Sequence, residues 1–121
     1  MGSIYYVHCP ATKRIKIGFT KGAVSKRVKA LQTGSASELI MLATHAGTQD
    51  DERELHRIFA SDRIQGEWFD SSEPLFRHLV NVVAIEGRRY IERKATPPEW
   101  LIIAAFTLAE LFRSDEPETA H

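Results

Sequence analysis

Tyr5, Lys16, Arg27, Glu52 and His56 are the side chains of this sequence whose types and spacing could do chemistry. Tyr5 and Lys16 stand among aliphatic residues in two neighbouring runs, Ile4-Tyr5-Tyr6-Val7 and Ile15-Lys16-Ile17-Gly18. Buried aliphatics explain Ile4, Val7, Ile15 and Ile17, but not the polar-ended Tyr5 and Lys16 or the closing glycine. A free phenol has a pKa of about 10, so it is a poor base at neutral pH unless something favours the phenolate. An ammonium on the same face would do that. Arg27 offers a planar, permanently charged donor pair that suits a phosphate or a carboxylate. Glu52 and His56, at i and i+4, are neighbours on a helix surface. No HxxEH or DxD cluster accompanies them, so a closed structural metal site is not expected. One carboxylate is enough for Mg²⁺, which keeps several waters and takes substrate phosphate oxygens besides.

These groups need elements to hold them. The two opening runs are rich in strand-favouring residues and are separated by Cys9-Pro10-Ala11-Thr12-Lys13, which predicts an antiparallel hairpin. Phe19-Thr20-Lys21-Gly22 is a connector. A helix should follow from Ala23 to Gln32, stopped by Gly34. Val24, Val28 and Leu31 form its sheet-facing stripe, with Lys26 and Lys29 on the wet side. Arg27 projects about 60° from Val24, on the shoulder of that stripe. Two readings fit it there: a stem snorkelling over apolar surface, or a guanidinium leaning over the sheet edge toward a ligand.

Glu38 to Ala46 reads as a third strand, central because both faces look buried. Thr48 is the expected N-cap of a helix reaching Ser61, with Asp50, Asp51 and Glu52 in its first turn and Leu55, Ile58 and Phe59 as its core stripe. Glu52 falls at the edge of that buried side. Arg63 to Asp70 is turn-rich; Trp68 and Phe69 should close the core, with Glu67 at a rim. A helix from Ser71 or Ser72 carries Leu75, Phe76, Leu79, Val80 and Val83, and continues past Gly87 toward Lys94. Thr96-Pro97-Pro98 breaks the chain before a last helix, Glu99 to Arg113. That helix is apolar around most of its circumference and should be buried on more than one side, against the domain or a second copy. It is too short for a membrane span, which needs about 20 apolar residues. Ser114 to His121 should fray.

The expected architecture is therefore an α/β (α+β) domain: a small, mainly antiparallel three-stranded sheet flanked by helices, over residues 1–95, with a C-terminal helical extension over 96–121. The 121 residues suit one domain with a modest core. Sixteen basic and sixteen acidic residues balance, so net charge does not mark a nucleic-acid binder and local clustering must. A single cysteine, Cys9, excludes an internal disulfide framework and a CxxC zinc pattern. No apolar h-region follows Met1, and the expected location is cytoplasmic.

Ser3-Ile4-Tyr5 and Lys16-Ile17-Gly18 resemble the two halves of the GIY-YIG nuclease signature, and most closely the T5orf172 branch, whose second half is usually K-I-G. Arg27, Glu52 and Gly66-Glu67-Trp68-Phe69 follow in the order of that family, over roughly residues 3 to 80. Ser3 departs from the name-giving glycine, and Lys16 from the second tyrosine of many relatives. The resemblance implies hydrolysis of a DNA phosphodiester with Mg²⁺ or Mn²⁺. Glu52 would hold the metal, Arg27 would contact the scissile phosphate, and Tyr5 would move the proton of the attacking water. His56 matches an L-H pair following the metal glutamate. Lys16 would tune Tyr5, and Gly18, Lys21, Lys26 and Lys29 would meet the nucleic acid. Two other readings compete: a catalytically inactive DNA-binding module on the same fold, and a protein-interaction or assembly subunit. The expected partners are DNA and, through the last helix, a second copy of the chain, with no membrane.

Overall fold

The computed structural model describes residues 2–115, with side chains through residue 111; the acidic tail expected to fray lies largely outside the described residues. The opening hairpin forms as its residue types dictate. β1 (Gly2–Cys9) and β2 (Arg14–Thr20) pair antiparallel, with Tyr5 opposite Gly18 and Val7 opposite Lys16. Thr12 and Lys13 donate their N–H groups to the Cys9 carbonyl in the turn, and Lys13 takes a positive φ of 57° there. Ser3, at the first departure from the nuclease signature, pairs with Thr20 on one side and Ala46 on the other, so the ladder runs through it unbroken.

The sheet has five strands rather than the expected three, in the order β3-β1-β2-β5-β4. β4 (Arg63–Gln65) and β5 (Trp68–Asp70) come from the segment read as turn-rich. Each is only three residues long and the turn between them places Gly66 at φ 59°, so neither shows a clear period of two in the sequence. β5 pairs with β2, setting Lys16 opposite Trp68. The second correction concerns β3 (Ile40–Gly47), which is an edge strand and not a central one. Its apolar run is explained by helices: α3 (Glu73–Glu92) and α4 (Glu99–Asp115) both pack on it.

α1 (Val24–Thr33) has no fully buried residue; Val24, Val28 and Leu31 are only half-buried. α2 (Gln49–Ile58) starts with a complete capping box. The Thr48 hydroxyl accepts from Asp51 N–H, and the Asp51 carboxylate accepts from Thr48 N–H. Leu55 and Phe59 enter the core, but Ile58, expected beside them, is 54% exposed. Ser72 caps α3, whose Leu75, Phe76, Leu79 and Val82 are buried while Val80 is exposed. Among the described residues α4 buries Leu101, Ala104 and Leu108, with Trp100 and Leu111 partly buried against the core. Ile102, Ile103 and Phe106 face out, so among the described residues that helix is not covered on more than one side as expected.

The main core lies between the sheet and the helices α2, α3 and α4, and is built from Ile4, Tyr6, Ile15, Ile17, Leu42, Phe69 and their neighbours. Burying each of the larger apolar side chains is worth about 1.5–3 kcal/mol. One polar group inside it is fully provided for. His45 Nδ1–H donates to the Ala46 carbonyl at 3.0 Å, leaving Nε2 to accept the Tyr6 O–H at 3.0 Å. The same oxygen accepts from His78 Nε2–H at 2.7 Å. Burial pushes the Tyr6 phenol well above its ordinary range, and burial together with the charge of His45 pushes His78 down.

Candidate active site

Tyr5 lies on the sheet face opposite Tyr6 because side chains alternate along β1. Its ring rests directly on Gly18. A Cβ at Gly18 would stand 2.3 Å from Tyr5 Cζ and 2.4 Å from its hydroxyl oxygen. Gly18, expected among the nucleic-acid contacts, is thus buried and serves as the bare patch of backbone that admits the phenol. Arg27 closes the other side. Its Nε–H donates to the Tyr5 hydroxyl at 3.2 Å, and this bond raises the guanidinium's pKa further. Tyr5 is fully buried under that contact. Both readings of Arg27 describe part of what is found: the stem covers the sheet face, and the head engages a polar group there.

Lys16 does project on the face of Tyr5, since Val7 and Lys16 are paired two residues along from Tyr5 and Gly18. The cation bonded to the phenol is nevertheless Arg27. The Lys16 ammonium ion-pairs with Glu67 at 2.9 Å and lies 5.7 Å from the centre of the Trp68 ring. The sequence reading left Glu67 at a rim with no partner. Its position immediately before Trp68, the residue paired with Lys16 across β2 and β5, is the signal that a five-stranded register would have supplied.

Glu52 stands in the first turn of α2 and is only 8% exposed, yet its carboxylate has neither a hydrogen-bond nor an ion-pair partner among the described residues. Burial and the Glu67 charge raise its pKa, opposed by His56, Lys16 and Arg53. A nearly buried carboxylate without a partner is chemically fitted to hold a cation. Among the described residues no group of three or more His, Cys, Asp or Glu side chains gathers for a metal, so Glu52 would hold it together with water and substrate oxygens. In this geometry His56 ties α2 to β2 and β5. Its Nε2–H donates to the Ile17 carbonyl at 2.9 Å, and its ring meets Phe69 edge-on at 5.0 Å.

The structure thus brings Tyr5, Gly18 and Arg27 into contact, with Lys16 on the same sheet face. It sets Glu52 and His56 beside Lys16 and Glu67 through α2. Lys21, Lys26 and Lys29 are exposed, the last two on the helix that carries Arg27.

Tyr5 on a strand, Arg27 on the following helix and Glu52 in the first turn of the next lie within a domain whose matching family is associated with the GIY-YIG-like nuclease fold. The T5orf172 domain model matches residues 2–85, and the chain belongs to that family, a nuclease-like or DNA-binding one. No curated protein and no solved structure gives a significant match. No helix among the described residues is long and apolar enough to cross a membrane.

Proposed function

We propose that the chain is a divalent-metal-dependent DNA endonuclease. The observation that carries this reading is the Tyr5–Arg27 hydrogen bond over Gly18, set in one domain with an unpartnered, nearly buried Glu52. When bound at Glu52, Mg²⁺ or Mn²⁺ supplies charge stabilisation on the leaving side of the phosphodiester. The remaining work falls to side chains of the chain itself. Arg27 presents its fork to the nonbridging oxygens, where negative charge grows in the transition state. A scissile phosphate competes with the Tyr5 oxygen for that guanidinium, and drawing Arg27 away uncovers the phenol. Tyr5, reacting as its phenolate, then takes one proton of the attacking water as the water oxygen bonds to phosphorus and the bond from phosphorus to the leaving oxygen breaks. Lys21, Lys26 and Lys29 meet neighbouring phosphates as exposed point charges.

Nicking of supercoiled plasmid with Mg²⁺ or Mn²⁺, abolished by chelator, tests the proposal. Salt-sensitive DNA affinity without nicking would instead establish the inactive DNA-binding module. A homodimer is a further part of the reading, favoured by Ile91 and Phe106, which are 77% and 71% exposed. They border an apolar groove of about 470 Å³ between α3 and α4.

A further inference from the structure

The Lys16–Glu67 pair sets a cation and an anion together in the field of Glu52. The Lys16 side chain is 12% exposed and that of Glu67 37%, so water screens the lysine little and the carboxylate more. Ile17, the residue after Lys16, ties the surroundings together. Its N–H donates to the Glu67 carbonyl at 3.0 Å, and its carbonyl accepts from His56 at 2.9 Å, one helical turn after Glu52. One strand residue thereby fixes both the Glu67 turn and the Glu52 helix beside Lys16. The charges that face Glu52 are those of Glu67, His56, Lys16 and Arg53.

We propose that Glu67 is a charge-balancing residue: its carboxylate neutralises the Lys16 ammonium, so that Glu52 keeps a net negative field for a divalent cation. The inference rests on the reading of Glu52 as the metal carboxylate. Glu52, Lys16 and Glu67 together carry a net negative charge; without Glu67 they carry none, and a dication loses its attraction to the site. Trp68 adds to the arrangement by holding the ammonium against its ring, so the pair keeps one geometry. A merely structural Glu67, anchoring the turn before β5, would act on folding and not on cation affinity.

The experiment is a Mn²⁺ titration followed by electron paramagnetic resonance, on the full chain and on Glu67→Gln, Lys16→Met and the double variant. Glu67→Gln should weaken Mn²⁺ binding about three- to tenfold, and Lys16→Met should tighten it. The double variant should return to within about twofold of the parent, because the two charges cancel. A Glu67→Gln affinity equal to the parent's, or a double variant as weak as Glu67→Gln alone, overturns the proposal. If Glu67→Gln does not fold, Lys16→Met decides by itself: unchanged affinity overturns the proposal, tighter binding supports it. Plasmid nicking by the parent chain reads the nuclease proposal separately. A parent that binds Mn²⁺, follows the cycle and nicks nothing keeps the charge balance and loses the nuclease. A parent that binds no Mn²⁺ overturns the charge balance, whatever it nicks.

Discussion

The hydroxyl of Tyr5 accepts a hydrogen bond from Nε of Arg27 at 3.2 Å, which ties a side chain of α1 to one of β1. The arginine sits on an exposed helix and the tyrosine on a strand that is buried from Ile4 to Cys9. Arg27→Lys keeps the charge and the apolar stem but loses the planar fork and the Nε–H. Nicking should fall by about 10²-fold or more. The melting temperature should stay within about 2 °C of the parent, as expected for a surface change. A variant that cuts at the parental rate would reduce Arg27 to a cover for the sheet.

Gly18→Ala drives a methyl into the Tyr5 ring, which is fully buried and cannot step aside freely. Overpacking of this kind costs about 1–3 kcal/mol. Activity should drop with it, because the phenol is displaced from Arg27. Gly22→Ala is the control: the nearest atom to its Cβ would be Thr20 Oγ1 at 3.9 Å, an ordinary contact. Urea unfolding and nicking of both variants decide the matter. Equal stabilities would show that the ring has room to move.

Glu52→Gln separates function from stability in the opposite direction. Burial, then the Glu67 charge, raises the Glu52 pKa, so its ionised form is disfavoured by the fold. Its contribution is fully present below the unfolded value of 4.5 and is lost as pH rises through the folded value. At pH 7 the neutral amide should therefore melt at or above the parental temperature while nicking falls by orders of magnitude. A large loss of stability would make Glu52 a structural residue first.

His78 and His8 set the acid side of the stability profile. Both pKa values are lowered chiefly by burial; the His45 charge assists at His78, and a backbone hydrogen bond with Arg14 opposes at His8. Below the ordinary value of 6.5 the unfolded chain binds protons that the native rings refuse. Stability present above pH 6.5 is thus lost as pH falls through and below it. Thermal melts from pH 8 to pH 5 should show this decline, and His78→Gln should make it shallower. Parallel profiles for the two proteins would remove His78 from the effect.

Phe106→Glu tests the exposed side of α4. If copies associate through the α3–α4 groove, light scattering at micromolar concentration should find the parent heavier than one chain and the variant at the mass of one. At 71% exposure the phenylalanine contributes little to the single chain, so the melting temperature of the dissociated variant should change only through lost association. A parent with the mass of one chain would leave this face without a partner of its own kind.

Much of the fold was legible because periodicity and caps were strong. The hairpin, the Thr48 cap, the Ser72 start of α3 and the Pro97-Pro98 break all stand where local chemistry puts them. β4 and β5 were not legible: three-residue strands carry too little alternation to be distinguished from turns. The place of β3 failed for a different reason. A continuous apolar run reports how much is buried, not by what, and on β3 the cover is helices rather than a second neighbouring strand. Ile102, Ile103 and Phe106 show the same gap, since apolar character cannot say whether a face is covered within the chain. Ordered motifs singled out Tyr5, Arg27 and Glu52 as candidates. The bond of Arg27 to Tyr5 and the pairing of Lys16 with Glu67 depend on register, which a single sequence does not encode locally.

α1 carries Arg27 without a single fully buried residue, without a side-chain N-cap and without acids in its first turn or bases in its last. Such a helix opens locally at far lower free energy than the strands beneath it. Its amide protons should exchange with solvent well before those of β1 and β2. Bound DNA, by engaging Arg27, Lys26 and Lys29 together, would suppress that opening, and exchange protection confined to α1 would be its signature. The arginine is thus mounted on an element that still has conformational entropy to lose when a ligand engages it.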